Sequence, residues 1–102
     1  VKRGEVWTCA PMRPSGEPMP GRRPVIVVSD TSVIDSPYRW LHVVPLHDSD
    51  PGHLLATKTA HGWANALEIH PVYRPWLTEA VGALTEHEAE SLDARLRATV
   101  GL

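Results

Sequence analysis

Two short stretches hold residue types from which a reactive site could be built. The first is Arg22-Arg23-Pro24-Val25-Ile26-Val27-Val28-Ser29-Asp30. Its four consecutive apolar β-branched residues read as a short strand buried on both faces, and Pro24 is tolerated at a strand's first residue. Two obligate cations therefore stand at the mouth of a rigid element, each offering a planar fork of donors suited to phosphate. The second stretch is His47-Asp48-Ser49, which closes an apolar run from Tyr38 to Leu46. If the two strands are neighbours, an arginine and a titratable imidazole come together. That is the minimum equipment for cutting RNA without a metal. A base takes the 2′-OH proton, the oxygen attacks the adjacent phosphorus, and a cation stabilises the phosphorane. Histidine suits the proton transfer because its ordinary pKa lies near the working pH. The competing view is that the arginines are a solubilising pair beside a hydrophobic strand, and that His47 only ends one.

Other chemistries fit less well. The six histidines invite a metal, but His42-x4-His47 straddles a strand end and His53, His61 and His70 are scattered. No cysteine pair and no helical pair of ligands accompanies them. The expectation is no metal and no cofactor. Ser29 follows a buried strand without the Gly-x-Ser-x-Gly elbow of a hydrolase. Of the four tryptophans, Trp7 and Trp40 lie in expected strands and read as core. Trp63 and Trp76 lie beside turns and are better placed to stack on bases. The lone Cys9 sits in a strand and reads as a small buried hydrophobe.

The elements that must position these groups follow from pattern. Glu5 to Ala10 is a strand candidate. Residues 11–24 hold five prolines with Gly16 and Gly21, which makes a long extended loop of the kind that carries function. After the Arg-Pro strand, Thr31 to Pro37 is a turn or short helical link. Tyr38 to Leu46 is a third strand, with Trp40, His42, Val44 and Leu46 on one side and Leu41 and Val43 on the other. His47 to Gly52 is a turn by composition. His53 to Ala56, Ala64 to Ile69 and Glu79 to Leu84 are further strands, while Pro71 and Pro75 leave Val72 to Leu77 open. Thr85-Glu86-His87-Glu88 is a capping box. Ala89, Leu92, Leu96 and Val100 then form one apolar helical stripe. Strands followed by a terminal helix imply a mostly β, barrel-like antiparallel sheet with the helix packed on it.

At 102 residues the chain is expected to form a single domain, 1–102. No apolar run approaches a membrane span, no signal-peptide pattern opens the chain, and one cysteine needs no oxidising compartment. The expected localisation is cytoplasmic. A net charge of −2 excludes a generic nucleic-acid coat. Lys2, Arg3, Arg13, Arg22, Arg23 and Arg39 nonetheless crowd the first forty residues, opposite an acidic end of Glu79, Glu86, Glu88, Glu90 and Asp93. A local basic face with an acidic far side is the arrangement this allows.

These features, taken collinearly, resemble the MazF/PemK (Kid) family of toxin–antitoxin endoribonucleases. The match runs through Lys2-Arg3-Gly4-Glu5-Val6-Trp7, Gly21-x-Arg23-Pro24-Val25-Ile26-Val27-Val28-Ser29 and Val43-Val44-Pro45-Leu46. It continues in Val81-Gly82-Ala83-Leu84-Thr85 and Leu96 to Leu102. The resemblance implies a small SH3-like antiparallel barrel of the CcdB/PemK type, a homodimer, and metal-free cleavage of single-stranded RNA. The products would be a 2′,3′-cyclic phosphate and a 5′-hydroxyl, and a cognate antitoxin would neutralise the toxin. The family's loop arginine carries over onto Arg23. Its threonine or serine at the end of the third strand falls on His47, with Ser49 two positions later. Arg22, Arg13, Glu17, Ser29 and Asp48 are the candidate RNA contacts. The loop departs from the family's Gly-x-Glu-Gln-x-Gly-x-Arg-Pro, since Glu17 is followed by Pro18 and one extra residue precedes Arg23. Two other readings remain: a protein-binding toxin on the same scaffold, like the gyrase poisons, and a degenerate member that only binds an antitoxin.

Overall fold

The computed structural model describes residues 1–101; Leu102, part of the C-terminal match above, lies outside them. Seven strands and a C-terminal helix carry the fold. They run β1 (Glu5–Cys9), β2 (Arg23–Val27), α1 (Thr31–Ile34), β3 (Trp40–His47), β4 (Ala56–Thr59), β5 (Gly62–Asn65), β6 (His70–Tyr73), β7 (Leu77–Ala83) and α2 (Glu86–Val100). The strand order is β4-β5-β3-β2-β1-β7, with β6 also paired to β3, and the described pairings are antiparallel. The path curls without closing, so the barrel-like expectation is met by an open antiparallel sheet.

Alternation along the central strands decides the core. Val25 and Val27 of β2 join Cys9, Leu41, Val43, Val72 and Leu77 in one cluster. Ile26 points to the other side and joins Val6, Val44, Leu46, Ala64, Ala66 and Leu92. A strand buried on both faces is what the unbroken apolar run required. The outer end of β3 behaves differently: Trp40 is 42% exposed. Trp40 is therefore not core, because its register partner is Tyr73 on the edge strand β6.

Helix α2 begins as its sequence dictates. The Thr85 hydroxyl accepts from the Glu88 amide at 3.2 Å, and the Glu88 carboxylate accepts from the Thr85 amide at 2.9 Å. Glu88 also accepts from the Ala60 amide at 2.7 Å, which ties the β4–β5 turn to the helix start. Leu92 is the stripe's buried anchor, and Arg3 fastens the helix to the sheet through Asp93 Oδ1 at 2.8 Å and the Val28 carbonyl.

Two strand expectations need correcting, and one open stretch is decided. His53 to Ala56 is mostly a turn, because the His53 carbonyl accepts from the Ala56 amide, and β4 starts only at Ala56. The strand expected from Ala64 to Ile69 stops at Asn65, whose side chain accepts from the Leu67 amide at 3.0 Å and turns the chain. The open stretch around Pro71 and Pro75 resolves into edge strand β6, a 3₁₀ turn at Arg74–Trp76, and β7. Pro71 is tolerated because β6 pairs on one side only.

Candidate active site

The β2–β3 ladder sets Val25 opposite Pro45, Ile26 opposite Val44 and Val27 opposite Val43. The paired stretch ends at Val25 and Pro45, and Arg23 and His47 each lie two residues beyond it, at the same end of β2 and β3. Residues two apart on a strand share a face, so Arg23 follows Val25 and His47 follows Pro45 on one side of the sheet. On its other flank β2 pairs with β1, where Arg23 meets Cys9. Arg23 itself is exposed, held in direction by Pro24 and the buried valines behind it.

A cleft of about 230 Å³ opens on this face, lined by Cys9, Pro11, Arg23, Pro45, His70 and Trp76. Burial pushes the Cys9 thiol up, against the pull of the neighbouring Arg23 guanidinium. The thiol is thereby kept protonated and is no nucleophile. His70 enters the cleft from β6, opposite Val43. An unassigned histidine in a scattered set thus ends up beside the arginine.

His47 is half-buried and fixed from two sides. Its Nε2 lies 2.9 Å from Glu68 Oε1. A carboxylate only accepts, so Nε2 is the donor in this contact, and Nδ1 is the ring nitrogen turned away from Glu68. On the β5 side Gly62, at φ +123°, lies so close that an added Cβ would stand 2.7 Å from the His47 carbonyl oxygen. Glycine is required at that approach.

The remaining candidates divide. Arg22 is exposed beside Arg23, and Asp48 and Ser49 are exposed in the bend directly after β3, so all three border the same end of the sheet. Arg13 and Glu17 face each other across a tight turn: the Arg13 amide donates to the Glu17 carbonyl at 2.8 Å, inside a bridge between Met12 and Pro18. The extra proline closes a small hairpin within the long loop. Ser29 is not brought to this site. It is 6% exposed, at the opposite end of β2, and its Oγ accepts from the His42 amide at 2.7 Å. The apolar residues before Ser29 carry the chain across the sheet, and the hydroxyl is used up on backbone.

A family model described as the PemK-like, MazF-like toxin of type II toxin–antitoxin systems matches residues 2–100. The chain belongs to this family. Among solved structures it is similar to an endoribonuclease in complex with its cognate antitoxin from a mycobacterial species, with 19% identity, TM-score 0.85, and coverage of 100% of this chain and 96% of that one. It is also similar to the MazF of a MazE–MazF crystal structure from Deinococcus radiodurans (18% identity, TM-score 0.78, 100% and 96% covered). Mycobacterium tuberculosis toxin MazF-mt6 is a more distant likeness (11% identity, TM-score 0.74, 96% and 97% covered). At these identities the structures establish the MazF-like fold. A comparison with curated proteins finds no match in sequence.

Within the family frame, sequence reasoning missed Glu68 and His70. The Asn65 turn was the available signal for Glu68, since an Asx turn ends the strand and swings the next residues back over β3. Nothing local marks His70, which depends on the pairing of β6 with β3.

Proposed function

We propose that residues 1–102 form the toxin of a type II toxin–antitoxin pair and act as a metal-independent endoribonuclease on single-stranded RNA. In this reading His47 Nδ1 takes the 2′-OH proton, and the freed oxygen attacks the adjacent phosphorus. The 5′-oxygen leaves, taking a proton from His70 or water, and the products are a 2′,3′-cyclic phosphate and a 5′-hydroxyl. Arg23 stabilises charge on the phosphorane. Arg22 and Arg13 attract the strand, and Asp48, Ser49 and Glu17 border its path. Ser49 takes the family hydroxyl's place if the imidazole does not. The toxin works as a homodimer in the cytoplasm, and a cognate antitoxin covers the cleft.

The observation that supports this reading is the β2–β3 ladder, which leaves Arg23 and His47 at the same end of neighbouring strands, with the imidazole 2.9 Å from Glu68. A carboxylate–imidazole pair beside an arginine serves proton transfer at phosphorus; a surface that only binds protein has no use for it. The test is incubation with a long single-stranded RNA in EDTA, followed by mapping of the ends. Cleavage with cyclic-phosphate and 5′-hydroxyl ends supports the enzyme. Intact RNA returns the chain to a protein-binding toxin or a degenerate antitoxin binder.

A further inference from the structure

Three aromatic rings gather where the outer end of β3 meets β6 and the following 3₁₀ turn. Trp40 and Tyr73 have centroids 5.5 Å apart, Trp40 and Trp76 6.1 Å, and Tyr73 and Trp76 6.2 Å. The planes are tilted by 57° to 74°, so the rings form an angled cluster and not a closed stack. Trp40, at 42% exposure, keeps much of its surface in water. A large aromatic left open at a rigid strand end is a platform awaiting a partner.

The platform forms one wall of a groove of about 560 Å³, closed opposite by Met12, Arg13 and Pro14 of the β1–β2 loop. This volume lies within the range of sites that take small organic groups. Trp76 lines this groove and the Arg23–His70 cleft alike, so the two adjoin at its ring. Arg13 is the charged residue of the groove's lining, and Arg39 Nη1 donates to the Tyr73 hydroxyl at 3.2 Å. The other nearby guanidinium, on Arg74, is turned inward onto the carbonyls of Ile34 and Tyr38. Open aromatic faces flanked by arginines and adjoining the cleft that Arg23 lines match the chemistry of a nucleobase with its backbone.

We propose that the Trp40–Tyr73–Trp76 cluster is a base-stacking subsite, taking an unpaired nucleobase of the RNA strand that enters the Arg23 cleft, with Arg13 and Arg39 set for its phosphates. It rests on the RNA-cleavage reading for its ligand class but adds a site remote from the scissile bond. A stacked base here holds the strand in register past the bond to be cut. It also excludes duplex RNA, whose bases are not free to stack.

The test uses a fluorescein-labelled 20-nucleotide poly(U) RNA and the same RNA annealed to poly(A), with binding read by anisotropy in EDTA. Parent, Trp40→Ala, Trp40→Phe and Arg39→Ala chains are compared, each checked for folding by circular dichroism. Trp40→Ala is expected to weaken single-strand binding about 10-fold, the loss of one stacked base. Trp40→Phe should recover most of it, and the parent should prefer the single strand. Arg39→Ala should weaken binding less at high salt than at low salt. Unchanged affinity in folded Trp40→Ala overturns the subsite, as does a parent that binds neither RNA, or a Trp40→Ala chain that loses only its hold on a cognate antitoxin. A parent that binds poly(U) through Trp40 without cutting RNA leaves the subsite standing and removes the cleavage reading. A parent that cuts RNA equally well with and without Trp40 does the reverse.

Discussion

The pairing of Arg23 with His47 can be tested as a unit by a double-mutant cycle. Both residues stand two positions past the last β2–β3 pair, at the same sheet end, and the reading asks a single phosphate to engage both side chains. Removing a donor aimed at transition-state charge typically costs ~10²–10³ in rate, roughly 3–4 kcal/mol. Removing a positioned base costs ~10²–10⁴. Were the two groups independent, Arg23→Ala/His47→Ala would lose the product, at least about 10⁴. Acting on one proton transfer and one phosphorane, the pair should instead lose little more than the worse single change. Arg23 is exposed and His47 half-buried, so neither substitution should move the unfolding midpoint by more than surface changes do, about 0.5 kcal/mol. Arg22→Ala, one residue further out, should weaken RNA binding and leave the single-turnover rate near the parent's. The assay is single-turnover cleavage of a labelled RNA in EDTA, with denaturant melts on every variant. Fully multiplicative losses, or equal and small losses for Arg22→Ala and Arg23→Ala, would refute the shared site. If His47→Ala keeps full activity while Ser49→Ala loses it, the histidine role is wrong and the hydroxyl takes its place.

Three further outcomes follow from contacts elsewhere. Gly62→Ala should destabilise the fold by about 1–3 kcal/mol and lower cleavage, since its Cβ would press on the His47 carbonyl; a full-activity, full-stability variant would sink this. Arg74→Ala should cost about 2 kcal/mol by urea melt, because it strips charged donors from the Ile34 and Tyr38 carbonyls. Hydrogen bonds from the Thr85 backbone first, then from Ala60, hold the Glu88 carboxyl below its ordinary value. A lowered folded pKa gives stability that is present above the unfolded value, about 4.3, and lost as pH falls through the folded one. The stability gap between parent and Glu88→Gln should therefore be widest at neutral pH and shrink below about pH 4; a gap that widens in acid would reverse the sign.

Local chemistry alone determined several elements. Val25 to Val28 had to be central because no alternation left it a wet face, and Thr85 with Glu88 had to open a helix because both orphan amides find partners within four residues. Arg23 at the mouth of β2 follows from Pro24 and the valines behind it. Where tertiary pairing decides, sequence pattern was silent or misleading. Trp40 reads as core from its strand, yet its exposure depends on which strand lies beside it, and that is the edge strand β6. Ser29 reads as a site residue from its neighbours in sequence, but it lies six residues from Arg23, past the far end of β2, and spends its hydroxyl on the His42 amide. Glu68 and His70 reach the site only through the Asn65 turn and the β3–β6 ladder, contacts between residues more than twenty positions apart. Short-range hydrogen bonding and alternation are written into adjacent residues. Which strand end faces which is set by the register of the whole sheet, and that register leaves Arg23 and His47 at one sheet end with Glu68 against the imidazole.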